Sequence, residues 1–134
     1  MQKGSLLFSQ TISPRFYETD ALGHINNVSI AGWLEVSRIG FIASLGGSDD
    51  VSPNDWALVS LQIDYLKETF FGTDVELRIT DASVGNSSLT MLSEIWQNGQ
   101  QTVRGKATLV HFDATSKRSK RIPDSLRKQL QASC

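Results

Sequence analysis

Polar and apolar residues change rhythm along this chain. From Val28, apolar side chains at Ile30, Ala31, Trp33, Leu34, Val36, Ile39, Phe41, Ile42 and Leu45 recur at helical spacing. They cover more than one stripe of a helical wheel, which predicts a long helix buried almost all round. Gly46-Gly47 stops it, and 48–55 is a turn-rich loop. Beyond that loop the period falls to two. Ala57, Val59, Leu61, Ile63 and Tyr65 alternate with polar residues, as do Val75, Leu77 and Ile79, then Leu89, Met91, Ser93 and Ile95, then Val103, Gly105, Ala107 and Leu109. Each run predicts a strand with one buried face, and Gly85-Asn86 and Asn98-Gly99 supply hairpin turns.

Ahead of the helix, Leu6 to Tyr17 reads as one extended segment that Pro14 interrupts. Residues 113–134 form a basic C-terminal tail with Lys117, Arg118, Lys120 and Arg121, in which Pro123 opens a short helix over 124–131. One apolar helix and about five antiparallel strands make an α+β fold, with the sheet curled around the helix as the economical solution. The 134 residues fit a single domain, 1–134, large enough to bury a core without disulfide or metal staples.

Composition narrows the classes. An apolar fraction of 40% and a charged fraction of 20% exclude wholesale disorder, and a formal charge of -1 gives no reason to expect nucleic acid as a partner. Cys134 is the only cysteine, so no disulfide forms within the chain and a cytoplasmic location is the default. The N-terminal apolar run is too short for a signal peptide, and no stretch of about 18 apolar residues occurs, so no membrane segment is expected.

Chemistry concentrates between the extended segment and the helix, in Glu18-Thr19-Asp20-Ala21-Leu22-Gly23-His24-Ile25-Asn26-Asn27. Here an acidic residue, a glycine suited to a sharp turn and an asparagine pair suited to capping meet at a helix start. A helix start carries unpaired N–H groups and the positive end of a dipole, which suit an oxygen that becomes negative during reaction. Asp20 beside such donors marks an acyl-transfer site, as nucleophile or as base for water. A turn or capping aspartate is the plainer reading of Asp20, and an N-cap that of Asn26 or Asn27. His24 either orients the site or holds the turn. Glu35 is a rival carboxylate, although its spacing to Arg38 favours an ion pair within the helix or at a subunit contact. His24 and His111 are the only histidines and lie in no ligand spacing, so no metal is expected, and there is no Gly-x-Ser-x-Gly elbow.

The run Asp20-x-x-Gly23-His24-Ile25-Asn26-Asn27, followed by Trp33-Leu34-Glu35-x-x-Arg38, resembles the hot-dog-fold acyl-CoA thioesterases of the 4-hydroxybenzoyl-CoA thioesterase type. Ile63-Asp64-Tyr65-Leu66, Phe71-Gly72-Thr73-Asp74-Val75 and Phe112-Asp113 before Arg121-Ile122-Pro123 extend the likeness over nearly the whole chain. The resemblance implies a five-stranded sheet wrapped on a central helix, in a homodimer or homotetramer with active sites between subunits. It implies hydrolysis of an acyl-CoA, or of an acyl carrier protein thioester, without a bound cofactor. Catalysis would fall to Asp20, His24 and Asn27, with the N–H groups of Ile25, Asn26, Asn27 and Val28 facing the thioester oxygen. Ile30 and Trp33 would line the acyl pocket and Ser87 and Ser88 would meet the pantetheine arm, although serines are common in hairpins without a ligand; the basic cluster either meets the phosphates or is a solvated tail. The family often carries an aromatic residue where Ile30 stands and a bulkier one where Gly32 stands. Two other readings stay open: a hydratase or dehydratase of enoyl thioesters, and an acyl-CoA binding module without turnover.

Overall fold

The computed structural model describes residues 6–21, 23–45 and 55–133. Its elements run β1 (Phe8–Ile12), a 3-10 turn (Phe16–Glu18), α1 (Asn27–Ser44), β2 (Trp56–Tyr65), β3 (Val75–Val84), β4 (Ser88–Gln97), β5 (Gln100–Asp113), β6 (Arg118–Ser119) and α2 (Asp124–Ser133). The strands form one antiparallel sheet in the order β1-β3-β4-β5-β2, with β6 added to the far end of β5. The Asn98-Gly99 hairpin forms as predicted: both residues take positive φ, 54° and 73°, the geometry that matches strand twist in a two-residue turn. The helix stop at Gly46-Gly47 and the loop of 48–54 lie outside the described residues.

α1 lies across the sheet and divides the core in two. Its first half packs Ile30, Trp33 and Leu34 onto Val75, Leu77, Ile95 and Val103. Its second half packs Phe41, Ile42 and Leu45 onto Ile79, Leu89, Met91 and Leu109, together with Ile122, Leu126 and Leu130. This is the hot-dog arrangement, one long helix held by a curled antiparallel sheet. Among the described residues no helix is long and apolar enough to cross a membrane.

Three expectations need correction. α1 is not buried all round: Val28, Glu35, Val36 and Ile39 are exposed on its outer side, because one sheet covers only one side of a cylinder. The extended segment ends at Ile12; the chain then folds into the 3-10 turn, and Pro14, which has no N–H to give a ladder, stands at the break. The C-terminal region is no tail. β6 pairs Ser119 with Phe112, and α2 seats Leu126 and Leu130 fully in the core, four residues apart on one helical face.

Candidate active site

Glu18 anchors the turn that leads into the site. Its carboxylate is buried and accepts hydrogen bonds from Arg15 N at 2.7 Å and Trp33 Nε1 at 2.8 Å, while its carbonyl accepts Asn26 N at 2.9 Å. The approach to α1 is thereby tied to the helix itself. Between these ties the chain makes a tight loop. Asp20 N donates to His24 O at 2.8 Å, Gly23 N to Asp20 O at 3.2 Å, and His24 N to the Asp20 carboxylate at 3.3 Å. Gly23 takes φ +80°, which an L side chain adopts only with strain.

α1 then opens as predicted. Asn26 is the N-cap: its side-chain oxygen accepts Ser29 N at 2.8 Å, and its carbonyl accepts Ile30 N at 3.2 Å. The amides of Asn27 and Val28 remain without an acceptor among the described residues, and both residues are exposed. They are the free donors that a helix start leaves over. Asn27 lines a groove of about 290 Å³ with Ile25 and Ile30 on one side and the segment Tyr65 to Thr69 on the other.

The segment after β2 forms the opposite wall, and buried polar groups hold it there. Gln97 clamps it, donating to Phe70 O at 2.8 Å and Thr73 O at 2.9 Å and accepting Phe70 N at 3.0 Å. Thr69 Oγ1 donates to Thr102 Oγ1 at 2.9 Å, and Ile25 N donates to Thr69 O at 2.8 Å. This placement sets Glu68 Oε2 2.8 Å from His24 Nδ1, with the Phe70 ring edge-on to the imidazole at 4.9 Å. Asp20 is exposed and is not part of the groove wall; it joins the groove through His24 and Glu68.

The structure thus gathers Asp20, His24, Ile25, Asn26, Asn27, Val28 and Ile30 at one end of the sheet. Trp33 stands apart, buried against Glu18 and lining a separate groove of about 480 Å³ with Ile12, Arg15 and Val36. Ser88 begins β4 and Ser87 precedes it, while the other end of the strand carries Gln97, so both serines lie roughly 30 Å along the strand from the site. At that end Ser87 O accepts His111 N at 2.8 Å, and Arg121 donates to the neighbouring Asn86 Oδ1 at 3.1 Å. Glu18, Glu68 and Gln97 are the site residues that sequence reasoning missed. Glu18 sits two residues before Asp20 and carries a readable signal, whereas Glu68 and Gln97 are polar side chains in turn and strand with none.

In chemical terms, a helix start with two main-chain donors that have no acceptor among the described residues stands beside a carboxylate loop and a groove, the kind of arrangement that can polarise a carbonyl and activate a nucleophile. A model of the thioesterase-like superfamily matches residues 14–130. The uncharacterized protein YsmA of Bacillus subtilis (strain 168) is 33% identical over 89 residues, 66% of this chain and 60% of that protein, so the match spans less than two thirds of that relative. A predicted thioesterase from Bacillus stearothermophilus superposes with a TM-score of 0.84 at 32% identity, covering 94% of this chain and 95% of that one. A thioesterase from Thermus thermophilus, solved with coenzyme A and zinc, shares the fold with a TM-score of 0.85 at 24% identity, covering 96% and 95%.

Proposed function

The chain belongs to the thioesterase-like superfamily, and from that membership we propose that it hydrolyses an acyl thioester of coenzyme A to a free carboxylic acid and coenzyme A. The observation that carries the reading is the Asn27 amide, which borders the groove beside the Asp20 loop and has no acceptor among the described residues, with the Val28 amide next to it likewise without one. The carbonyl oxygen of the thioester binds against these amides, which stabilise the negative charge that develops when the carbon is attacked. Asp20 either attacks that carbon itself, leaving the acyl group on its carboxylate as an anhydride that water then hydrolyses to the free acid, or takes a proton from a water that attacks directly; in both routes the carbon–sulfur bond breaks and the sulfur leaves as thiolate, to be protonated. Ile25 and Ile30 give the groove an aliphatic floor for the acyl group.

Two copies of the chain complete the site in this reading. β2 pairs only with β5 among the described residues, and its open edge bears exposed Leu58, Val59, Leu61 and Tyr65. An uncovered apolar edge strand invites pairing with its own copy. Antiparallel β2–β2 contact sets the Tyr65 end of one chain beside the Trp56 end of the other. That end adjoins His111, Ser87 and the basic residues, so the partner's Ser87, Ser88 and Arg121 approach the Asp20 end. Lysines and arginines there suit the phosphates of coenzyme A, the molecule that accompanies the Thermus thermophilus neighbour.

The test is thiol release from short, long and aromatic acyl-CoAs. We expect Asp20→Asn to lose about a hundredfold or more in kcat while its circular dichroism and melting stay those of the wild type. Equal rates for the two proteins would remove Asp20 from the mechanism. Hydration of an enoyl-CoA without thiol release, or tight acyl-CoA binding without turnover, would replace the hydrolase reading altogether.

A further inference from the structure

Arg38 lies on α1 and is only 4% exposed, yet among the described residues no ion pair or hydrogen bond reaches its guanidinium. Burial lowers its pKa, and the charge of Glu35, one helical turn earlier but not in contact, offsets this only in part. Its nitrogens are not among the fully enclosed unpaired atoms, so the guanidinium opens onto a groove, where a largely desolvated cation without a contacting partner favours a counter-charge from outside the chain. Arg38 lines a groove of about 200 Å³ between α1 and the edge strand β2, together with Glu35, Ile39, Trp56 and Leu58. In the same groove wall, Trp56 keeps its indole Nε1 buried without an acceptor among the described residues. Glu35 is exposed on the open side of α1.

The course of the two elements says what fills the groove. The start of α1 lines one groove with Tyr65, at the end of β2, and its later part lines another with Trp56 and Leu58, at the beginning. Helix and strand therefore run antiparallel, side by side. A symmetric contact along β2 puts a two-fold axis near the strand's middle, at Ser60 and Leu61. Between Ile30, beside Tyr65, and Ile39, beside Leu58, the turn of α1 facing that middle is the one carrying Glu35. Two residues a single turn apart beside a two-fold axis meet their counterparts crosswise.

We propose that Glu35 and Arg38 form two symmetry-related ion pairs between two copies of this chain, Arg38 of each taking the partner's Glu35. The inference rests on the β2 pairing proposed above and adds the residues that hold the two chains together. It gives the groove one occupant, a carboxylate on an identical helix. The exposed Val36 and Ile39 on the same side of α1 are the apolar contacts that flank it.

Sedimentation and native mass spectrometry on Glu35→Arg, Arg38→Glu and the doubly exchanged chain test it, with circular dichroism to confirm folding. Each single variant sets like charges across the axis, and we expect its dimer to weaken by roughly a hundredfold or more. The double exchange restores the dimer. Mixing the two single variants is the decisive arm: both crosswise contacts then join Arg to Glu, so a heterodimer forms although neither variant pairs with itself. If Arg38→Glu does not fold, Glu35→Arg mixed with Arg38→Met carries the test, and the mixture must dimerise more strongly than Glu35→Arg alone. Variants as dimeric as the wild type would overturn the ion pairs and leave the β2 dimer standing. Monomeric variants that fail to combine would assign the pair to a role within one chain. A monomeric wild type would overturn the dimer and the ion pairs together, and the hydrolysis assay is read independently of all three.

Discussion

Single polar side chains set the geometry around Asp20. Glu18 accepts from a main-chain amide and an indole while buried, so removing its carboxylate strands two donors. Each unsatisfied group costs about 1–3 kcal/mol, and we expect Glu18→Ala to lower stability in urea by at least that much, and to lower hydrolysis as well because the Asp20 loop loses its tether. His111 supplies a pH dependence. Burial lowers its pKa from 6.5, partly countered by its hydrogen bond to the Arg121 carbonyl, and its Nε2 is buried without a partner among the described residues. The unfolded chain therefore binds a proton near pH 6.5 and the folded chain only at lower pH. Between those values the unfolded state carries more protons, so stability falls as pH drops below about 6.5 and levels off beneath the folded pKa. Above about 6.5 this group contributes no slope. Urea midpoints measured from about pH 7.5 to about pH 5 should show the decline in the wild type, and His111→Leu should flatten it.

Among the elements, those with a strong period were legible. The four alternating runs all became strands and α1 became a helix, but which of its sides is buried was not legible, because Val36 and Ile39 are as apolar as Ile30, Leu34 and Ile42. Asn26 acts as the cap that its position before an apolar run predicts. Asn26→Ala should cost about 1 kcal/mol in denaturant unfolding, and Asn26→Asp should retain most of it, since either carboxyl oxygen can accept the Ser29 amide. α2 was legible as a helix but not as core, because Leu126 and Leu130 form a narrow stripe in a polar stretch. Their burial predicts a clear effect: Leu126→Ala should lose roughly 2–5 kcal/mol of stability and melt cooperatively with the sheet, not as a separate step.

At the scale of the whole molecule, one chain leaves an apolar strand edge and the outer side of α1 uncovered, and the candidate site lies at that same margin. Dilution offers a direct check. Thiol release per chain should fall once the protein is diluted through its dimer dissociation range, and sedimentation should show the change at the same concentration. Constant activity per chain in the monomer would show that one copy holds a complete site.

Local pattern alone determined the element types, the hairpin at Asn98-Gly99 and the meeting of an acidic turn with a helix start, because period and turn chemistry act over a few neighbouring residues. Only the tertiary structure decided that Gln97 brings Glu68 to His24, that Ser87 lies at the far end of the sheet, and that Arg38 is buried without a contacting partner among the described residues of its own chain. These depend on strand register and on which side of a helix one sheet can cover. Such long-range contacts leave no period in the sequence.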